Sequence, residues 1–582
     1  MNLPIGKYTQ LLTRYLQRQP LRVAGLGALV LAGLGLQLLN PQILRRFLDA
    51  ASATGPLATV VELALLYLAV QLLEKGLGVG ANYLGGDVGW RATNMLREDL
   101  LQHSLQLDMA FHNRTSPGEL IERIDGDVEV LNRFFSQFVF IIVGNLLLMA
   151  GALFFLSREH IAFGTVFAVY GLLAVAAYYR FRDVVAPLYA DSRAQSAAWA
   201  GFLEERLAGI DDLRSSGAVA YTRRRFGDKV RAHLNAAIRA RMASEKWMLI
   251  LGLSPLAGQA GALCACFWFY QRGEMTIGTV FLIVQYARMV LQPIGRLIGQ
   301  VGTLQAVGGS IERLDRLVRE QSRLVVAGPG LQPDRRQGEL DFQDVSFGYG
   351  TGPQVLRHIT FRLVPGRSLG LLGRTGSGKT TLTRLVFRLY DPLQGTIRLN
   401  GVDLKSWDSG ALRRAVGLVT QDVQLFGASL RDNLTFFDRA IDDNKILTSL
   451  EEVGLGPWLA SLPAGLETPI ASGGANLSAG QGQLLALGRV YLRNPQLVIL
   501  DEASSRLDPL TERFLNEAIE RLLKGRTAIV IAHRLETVEK VDELMILEEG
   551  RIVEAGGRQE LAERSGSRYA ALRRTGAEAW LD

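Results

Sequence analysis

Apolar residues gather in six stretches along the first half of the chain, at 21–44, 57–83, 135–157, 161–180, 248–270 and 276–296. Each reaches the roughly 20 residues that a helix needs to cross a bilayer. Pro41, Pro255 and Pro293 fall inside three of them and predict local kinks. The connections Asp49–Pro56, Ser157–His160 and Gln271–Met275 are short, whereas 84–134 and 181–247 are long, polar and patterned as helices. Helices continuing about 25 residues past the bilayer make stalks tens of ångströms long. Each long excursion breaks once, at "FHNRTSPGEL" (111–120) and at "LAGIDDLRSSGA" (207–218). These breaks are either polar turns of helical hairpins or short helices that touch a soluble domain. After Ile311–Glu320, the segment "VVAGPGLQPDRRQG" (325–338) reads as a linker. Beyond it, short β runs alternate with helices, the mark of an α/β domain.

Composition fits this division. At 582 residues the chain is too long for one core, and 48% hydrophobic residues with a mean hydropathy of +0.14 suit a mixed membrane and soluble protein. The net charge of +7 is spread around the apolar runs, which argues for cytoplasmic loops and against a nucleic-acid partner. Arg193, Arg206, Arg214, Arg223, Arg224, Arg225, Lys229 and Arg231 all lie in the second excursion, placing both excursions and the N-terminus in the cytoplasm. Arg45 and Arg46, near the first external turn, run against that assignment. Cys264 and Cys266 sit in an apolar run at a spacing unlike zinc or redox motifs. The run Leu21–Leu39 is longer than a secretion-signal core and reads as the first span.

The α/β half carries phosphate chemistry. "LLGRTGSGKTTL" (371–382) contains G-x-x-x-x-G-K-[ST] between an apolar run and a helical stretch, the context that the motif requires. Its glycines let backbone N–H groups converge on phosphates at a helix N-terminus. Lys379 can reach the β- and γ-phosphates, and the Thr380 hydroxyl can hold Mg²⁺. "LVILDEASSRLDP" (497–509) ends an apolar strand at Asp501, suited to orient Mg²⁺, followed by Glu502, suited to polarise an attacking water. "TAIVIAHRL" (527–535) ends at His533, either a γ-phosphate contact or a structural strand-end histidine.

In combination these motifs resemble those of the ABC transporters, in particular the exporter-type half-transporters, over almost the whole length. The fold class implied is a six-helix transmembrane domain with long cytoplasmic helical extensions, followed by an α/β P-loop ABC ATPase domain. The implied boundaries are 1–319 for the membrane domain, 320–338 for the linker, 339–575 for the nucleotide-binding domain and 576–582 for a tail. The resemblance makes Gly373, Arg374, Thr375, Gly376, Ser377, Gly378, Lys379, Thr380 and Thr381 the Walker A loop. Asp501 and Glu502 then end Walker B, and His533 is the switch histidine. Gln421 in "GLVTQDVQLF" matches the Q-loop glutamine, a Mg²⁺ contact, and Tyr349 in "VSFGYG" matches the aromatic residue that stacks on adenine. The breaks at 111–120 and 207–218 become coupling helices. ATP is implied to sit between the Walker A loop of one chain and the signature loop of another, driving alternation between inward- and outward-facing states.

The signature is altered here. "NLSAGQGQLLALGR" (476–489) has Ala479 where the family usually has glycine and Gly482 where a basic residue is usual. Ser478 and Gln481 keep an S-x-x-Q capping box, so Ser478, Gly480 and Gln481 can still face an anion. The D-loop Ser505-Arg506-Leu507-Asp508 carries Arg506 where a small alanine is usual, and "TPIASGG" (468–474) lacks the family's common acidic residues. Residues serving this chain's own nucleotide therefore match the family, while the altered ones are lent to the partner. That division favours a heterodimer with a second half-transporter over a homodimer.

In the membrane half, Glu74, Lys75 and Arg288 either border a polar translocation cavity or snorkel at its mouth. Adjacent Glu74 and Lys75 are expected not to face each other on a helix. The expected function is ATP-driven export of a hydrophobic or amphiphilic lipid, peptide or drug-like substrate from a multi-pass position among the lipids of the cell inner membrane. A membrane-bound ATP-dependent regulator and an exporter-shaped importer are the alternatives.

Overall fold

The computed structural model describes residues 13–53, 55–133, 139–299, 301–324, 338–501, 509–532 and 535–575. They fall into two compact units, one of 1–105 with 117–320 and the other of 106–116 with 321–582.

The first unit is helical. Helices α1 (Pro20–Ser52) and α2 (Leu57–Gln106) are followed by a short α3 (Met109–Arg114), which clusters with the second unit. Then come α4 (Val139–Glu159), α5 (Ile161–Ala208), a short α6 (Ile210–Ser215), α7 (Val219–Gln271), α8 (Ile277–Gly299) and α9 (Val301–Arg319). Apart from Thr276, the described residues of all six predicted apolar stretches lie on long helices, and both predicted breaks hold a short one. At 50, 48 and 53 residues, α2, α5 and α7 run on past their apolar parts as single helices. Among the described residues, α1 and α2 are the helices that pass a test of length and hydropathy for membrane crossing.

Helix packing centres on α8. Leu282, Ile283, Tyr286, Ala287 and Val290 are buried against Ala152, Leu156, Phe163, Phe167 and Ala262 from α4, α5 and α7. The Tyr286 ring stacks on Phe155 at 5.4 Å, and its hydroxyl donates to the Leu38 carbonyl at 2.8 Å. Pro41 lacks the N–H that would reach the Gln37 carbonyl, one residue before Leu38, and the Tyr286 hydroxyl braces the helix beside that gap.

The short-loop end explains the arginine that looked out of place. Arg45 donates to Glu159 at 2.7 Å and lies 3.8 Å from Asp49, whose carboxylate accepts from the Gly278 N–H at 2.9 Å. Ends of α1, α4 and α8 are thereby tied together, so Arg45 serves an internal partner rather than a topology signal. Glu74 and Lys75 depart from expectation in another way: their charged atoms lie 3.6 Å apart, with Glu74 largely covered and Lys75 exposed. Long, flexible side chains let neighbours pair although their Cβ atoms diverge. Arg288 is exposed on α8.

The second unit is α/β. Strands β1 (Leu340–Gly348), β2 (Gln354–Leu363), β4 (Gln394–Leu399) and β5 (Val402–Asp403) form an antiparallel sheet in the order β2-β1-β4-β5. Strands β3 (Ser368–Leu372), β6 (Val416–Val419), β9 (Leu497–Asp501), β10 (Thr527–Ile531), β11 (Glu543–Glu548) and β12 (Arg551–Gly557) form a second, ordered β12-β11-β3-β10-β9-β6. Only the β11–β12 pair in it is antiparallel, and β7 (Ala428–Ser429) and β8 (Pro469–Ile470) make a separate antiparallel pair. The continuous apolar strands are buried on both faces, as inner parallel strands require. Val498, Leu500, Val530 and Leu544 point to one core cluster, while Leu497, Ile499, Ile529 and Met545 point to another.

If the Arg45 clasp holds the helix ends, Arg45→Ala lowers stability by roughly 1 kcal/mol or more. Arg46→Ala stays within about 0.5 kcal/mol, as for surface substitutions. Thermal unfolding of the two variants in detergent compares them directly.

Candidate functional site

Parallel pairing in register brings the candidate residues to one edge. Leu371 and Asp501 both flank Ile531, and Leu500 flanks Val419. The C-terminal ends of β3, β9, β10 and β6 therefore emerge together, where ligands bind in open α/β sheets. The phosphate loop leaves β3, Asp501 ends β9, and Gln421 follows β6 by two residues.

The loop's path demands glycine. Gly373 has φ 150°, and a Cβ there would lie 2.3 Å from the Leu547 carbonyl oxygen. Gly378 has φ 108° and would place a Cβ 2.6 Å from the Leu356 side chain. Helix α10 (Lys379–Val386) starts immediately after Gly378, which has no side chain to cap it, so its first turn faces the loop. Lys379 is buried, and its ammonium donates to the carbonyls of Gly373 and, at 3.2 Å, Arg374. The side chain thus lies across the mouth of the loop. Ser377 Oγ is buried and, among the described residues, has no hydrogen-bond partner. A buried hydroxyl without a partner is costly, and a phosphate oxygen would satisfy it. Arg374, Thr375, Gly376 and Thr380 are exposed along the loop.

Tyr349 stands beside this helix. Its hydroxyl lies 3.1 Å from Thr381 Oγ1 and accepts from Arg384 at 3.3 Å. Its ring meets Phe347 at 5.0 Å and Tyr390 at 5.2 Å, both nearly perpendicular. Two edge contacts fix the ring plane.

The signature stretch opens helix α11 (Ala479–Arg493). Both halves of the predicted box are made: Gln481 N–H donates to Ser478 Oγ at 3.1 Å, and Ser478 N–H donates to Gln481 Oε1 at 3.0 Å. Ala479 is exposed, helical and free of positive φ, so the missing glycine costs the backbone nothing. Gly480 and Gly482 are buried. Glu502, Asp508 and His533, together with Ser505, Arg506 and Leu507, lie outside the described residues.

Two residues of this helix escaped the motif reading. Gln483 is buried, and its amide donates to the Gln421 carbonyl at 2.7 Å, pinning the segment after β6 to helix α11. Arg489 donates to the carbonyls of Asn433 at 2.8 Å and Gln424 at 3.0 Å, and lies 4.6 Å from the Phe436 ring centroid. Burial, with Arg493 nearby, pushes its pKa down to about 10, so it stays charged at neutral pH. Its signal was a single charge inside the apolar run "LLALGRVYL". Arg489 and Arg493 also line a cavity of about 400 Å³ with Phe387, Leu389, Leu418 and Phe426.

Residues 24–294 match the family described as ABC transporter transmembrane region, and residues 356–505 match the family described as ABC transporter. YgaD of Bacillus subtilis, an ATP-binding/permease protein assigned to multidrug export, is 30% identical over 487 residues, 81% of this chain and 82% of its own length. An ATP-dependent lipid A-core flippase of Alcanivorax borkumensis is 29% identical over 93% of this chain and 90% of its own. The solved structure of a bacterial Atm1-family ABC exporter with ATP bound superposes with a TM-score of 0.81 at 24% identity, covering 96% of this chain and 98% of that one.

Two glycines should answer oppositely to alanine. At Gly482 a Cβ would meet nothing nearer than Leu425 at 3.9 Å. Gly482→Ala is expected to keep ATPase activity and stabilise the fold by about 1 kcal/mol. Gly378→Ala is expected to lose nucleotide binding, read by titration with a fluorescent ATP analogue.

Proposed function

The chain belongs to the ABC transporter family as an exporter-type half-transporter, and on that footing we propose that it exports a hydrophobic or amphiphilic molecule as one subunit of a heterodimer in the cell inner membrane. As a member it is membrane-embedded with a cytoplasmic ATPase domain, hydrolyses ATP to drive transport, and works as a dimer. The observation that carries the reading is the phosphate loop, with its buried Lys379 and unpartnered Ser377 hydroxyl, beside Asp501 on the same sheet edge.

In this reading the loop from Gly373 to Thr381 cradles the ATP phosphates, and Lys379 exchanges its carbonyl partners for phosphate oxygens. Tyr349 offers a ring face to the adenine. Thr380, Gln421 and Asp501 would hold Mg²⁺, all three being oxygen donors at one edge. Bound Mg²⁺ would neutralise charge developing on the β- and γ-phosphate oxygens. Glu502 orients and polarises the attacking water, and His533 contacts the γ-phosphate. Ser478, Gly480, Gln481 and Asp508 serve the nucleotide of the opposite subunit. The segments 111–120 and 207–218 act as coupling helices between ATP-driven closure and the membrane helices. An amphiphilic substrate is supported by the lipid and multidrug assignments of the two relatives and by the apolar character of the spans.

The heterodimer rests on where the departures fall. Ala479 and Gly482 are lent residues, yet the cap that they flank is complete, so this chain gives its partner a serviceable loop. The partner subunit then carries a standard signature and a substituted Walker B glutamate or switch histidine.

Affinity purification of tagged chain in detergent, with intact-mass analysis, should recover two polypeptides; an active ATPase dimer of this chain alone would overturn the heterodimer. Glu502→Gln should retain ATP while hydrolysis falls by roughly two to four orders of magnitude. Undiminished turnover would place the base elsewhere.

A further inference from the structure

Helix α3 is bonded into the ATPase unit at both ends. Asp108, buried, accepts from the Phe111 N–H at 2.9 Å with one oxygen and from the Arg323 N–H at 2.7 Å with the other. The first contact caps the helix, and the second ties it to the chain entering the ATPase domain. Near the other end, the Asn113 side-chain amide donates to the Tyr390 hydroxyl at 2.6 Å. Tyr390 is the residue whose ring stands at 87° to that of Tyr349, with centroids 5.2 Å apart. Phe347 touches both rings, at 5.0 and 5.5 Å. The turn carrying Tyr390 is fixed by Arg388, which has φ 49° and donates to Asp391 at 3.0 Å. Burial, with Tyr349 nearby, holds the Tyr390 hydroxyl above the usual phenol range, so it remains a neutral hydrogen-bonding group.

We propose that Tyr390 is a positioning residue that ties occupation of the base site to helix α3, its ring set edge-on to Tyr349 and its hydroxyl accepting from Asn113. The proposal rests on the reading that Tyr349 faces the adenine. Tyr349 is held at its hydroxyl by Thr381 and Arg384, so a base on its face tilts the ring about that anchor, and the Tyr390 ring packed at 87° to it shifts in response. A shift of the Tyr390 ring moves its hydroxyl and alters the bond to Asn113. Coupling of this kind is reciprocal: whatever the base does to α3, the position of α3 does to the base. Asn113 lies within the stretch 111–120, so the message reaches a segment already assigned to coupling.

The test is hydrogen exchange of the full-length chain, with its partner subunit where one co-purifies, in vesicles of phosphatidylethanolamine and phosphatidylglycerol. Exchange of residues 106–116 is followed with and without a non-hydrolysable ATP analogue and Mg²⁺. In the wild type the analogue should slow exchange there. Tyr390→Phe keeps the ring but removes the hydroxyl; it should abolish the nucleotide-dependent slowing while the dissociation constant for a fluorescent ATP analogue stays within about twofold. Asn113→Ala should do the same, and the double variant should add nothing. Slowing that survives in both single variants overturns the proposal. So does exchange that is raised equally in both nucleotide states, since a merely structural contact would behave that way. Tyr349→Ala should weaken ATP binding by about tenfold, the worth of a lost stacking face. Unchanged affinity in that variant would remove the base reading itself, whatever Tyr390 does.

Discussion

The ATPase half depends on how closely the phosphate loop passes its neighbours. At Gly373 the backbone runs against the Leu547 carbonyl, and at Gly378 against Leu356, with no room for a side chain at either point. The same contacts knit distant parts together, since the Gly550 N–H donates to the Ser377 carbonyl at 3.2 Å and the Arg357 N–H donates to the Gly550 carbonyl at 2.8 Å. The β11–β12 turn, the start of β2 and the loop are thus one hydrogen-bonded layer. A loop held this way keeps its shape without a ligand, and the cost of ordering it is met during folding rather than on binding.

A second layer of constraint comes from the sheet. Parallel strands set Asp501 and the loop at one edge only because β10 lies between β3 and β9 in register with both. The signature helix is then anchored from behind: Gln483 holds the Q-loop carbonyl, and Arg489 gathers the carbonyls of Gln424 and Asn433. The buried Asn433 carbonyl is a satisfied acceptor beside the guanidinium, and without it would be left bare at a cost of about 1–3 kcal/mol. The stretch 476–489 therefore does two jobs. Ser478 and Ala479 at its start are exposed, while its later turns hold the helix to the segment after β6.

What the sequence disclosed follows from how local each feature is. The phosphate loop, the capping box at Ser478 and the strand ending at Asp501 are runs of adjacent residues whose backbone needs are written in residue type. The breaks at 111–120 and 207–218 are likewise local, so two short helices were legible there. Illegible were the contacts that join remote positions. Gln483 meets Gln421 across 62 residues, and Asn113 meets Tyr390 across 277, with no spacing rule to link them. Arg45 looked out of place for the same reason: charge counting treats an arginine as a topology signal, and its partner Glu159 is 114 residues away. Glu74 and Lys75 misled through geometry, because Cβ directions do not limit where long side chains end.

The clustering of 106–116 with the ATPase domain changes how force can pass along the chain. A single linker near residue 320 would let the two units move almost independently, as interdomain linkers do by default. Here the chain passes between units at three places, after residues 105, 116 and 320. Near the third, the His103 ring lies 3.0 Å from the Leu317 carbonyl and Arg313 pairs with the buried Asp127, so α9 is fastened to both limbs of the same excursion. A fastened exit cannot absorb motion as a slack tether would.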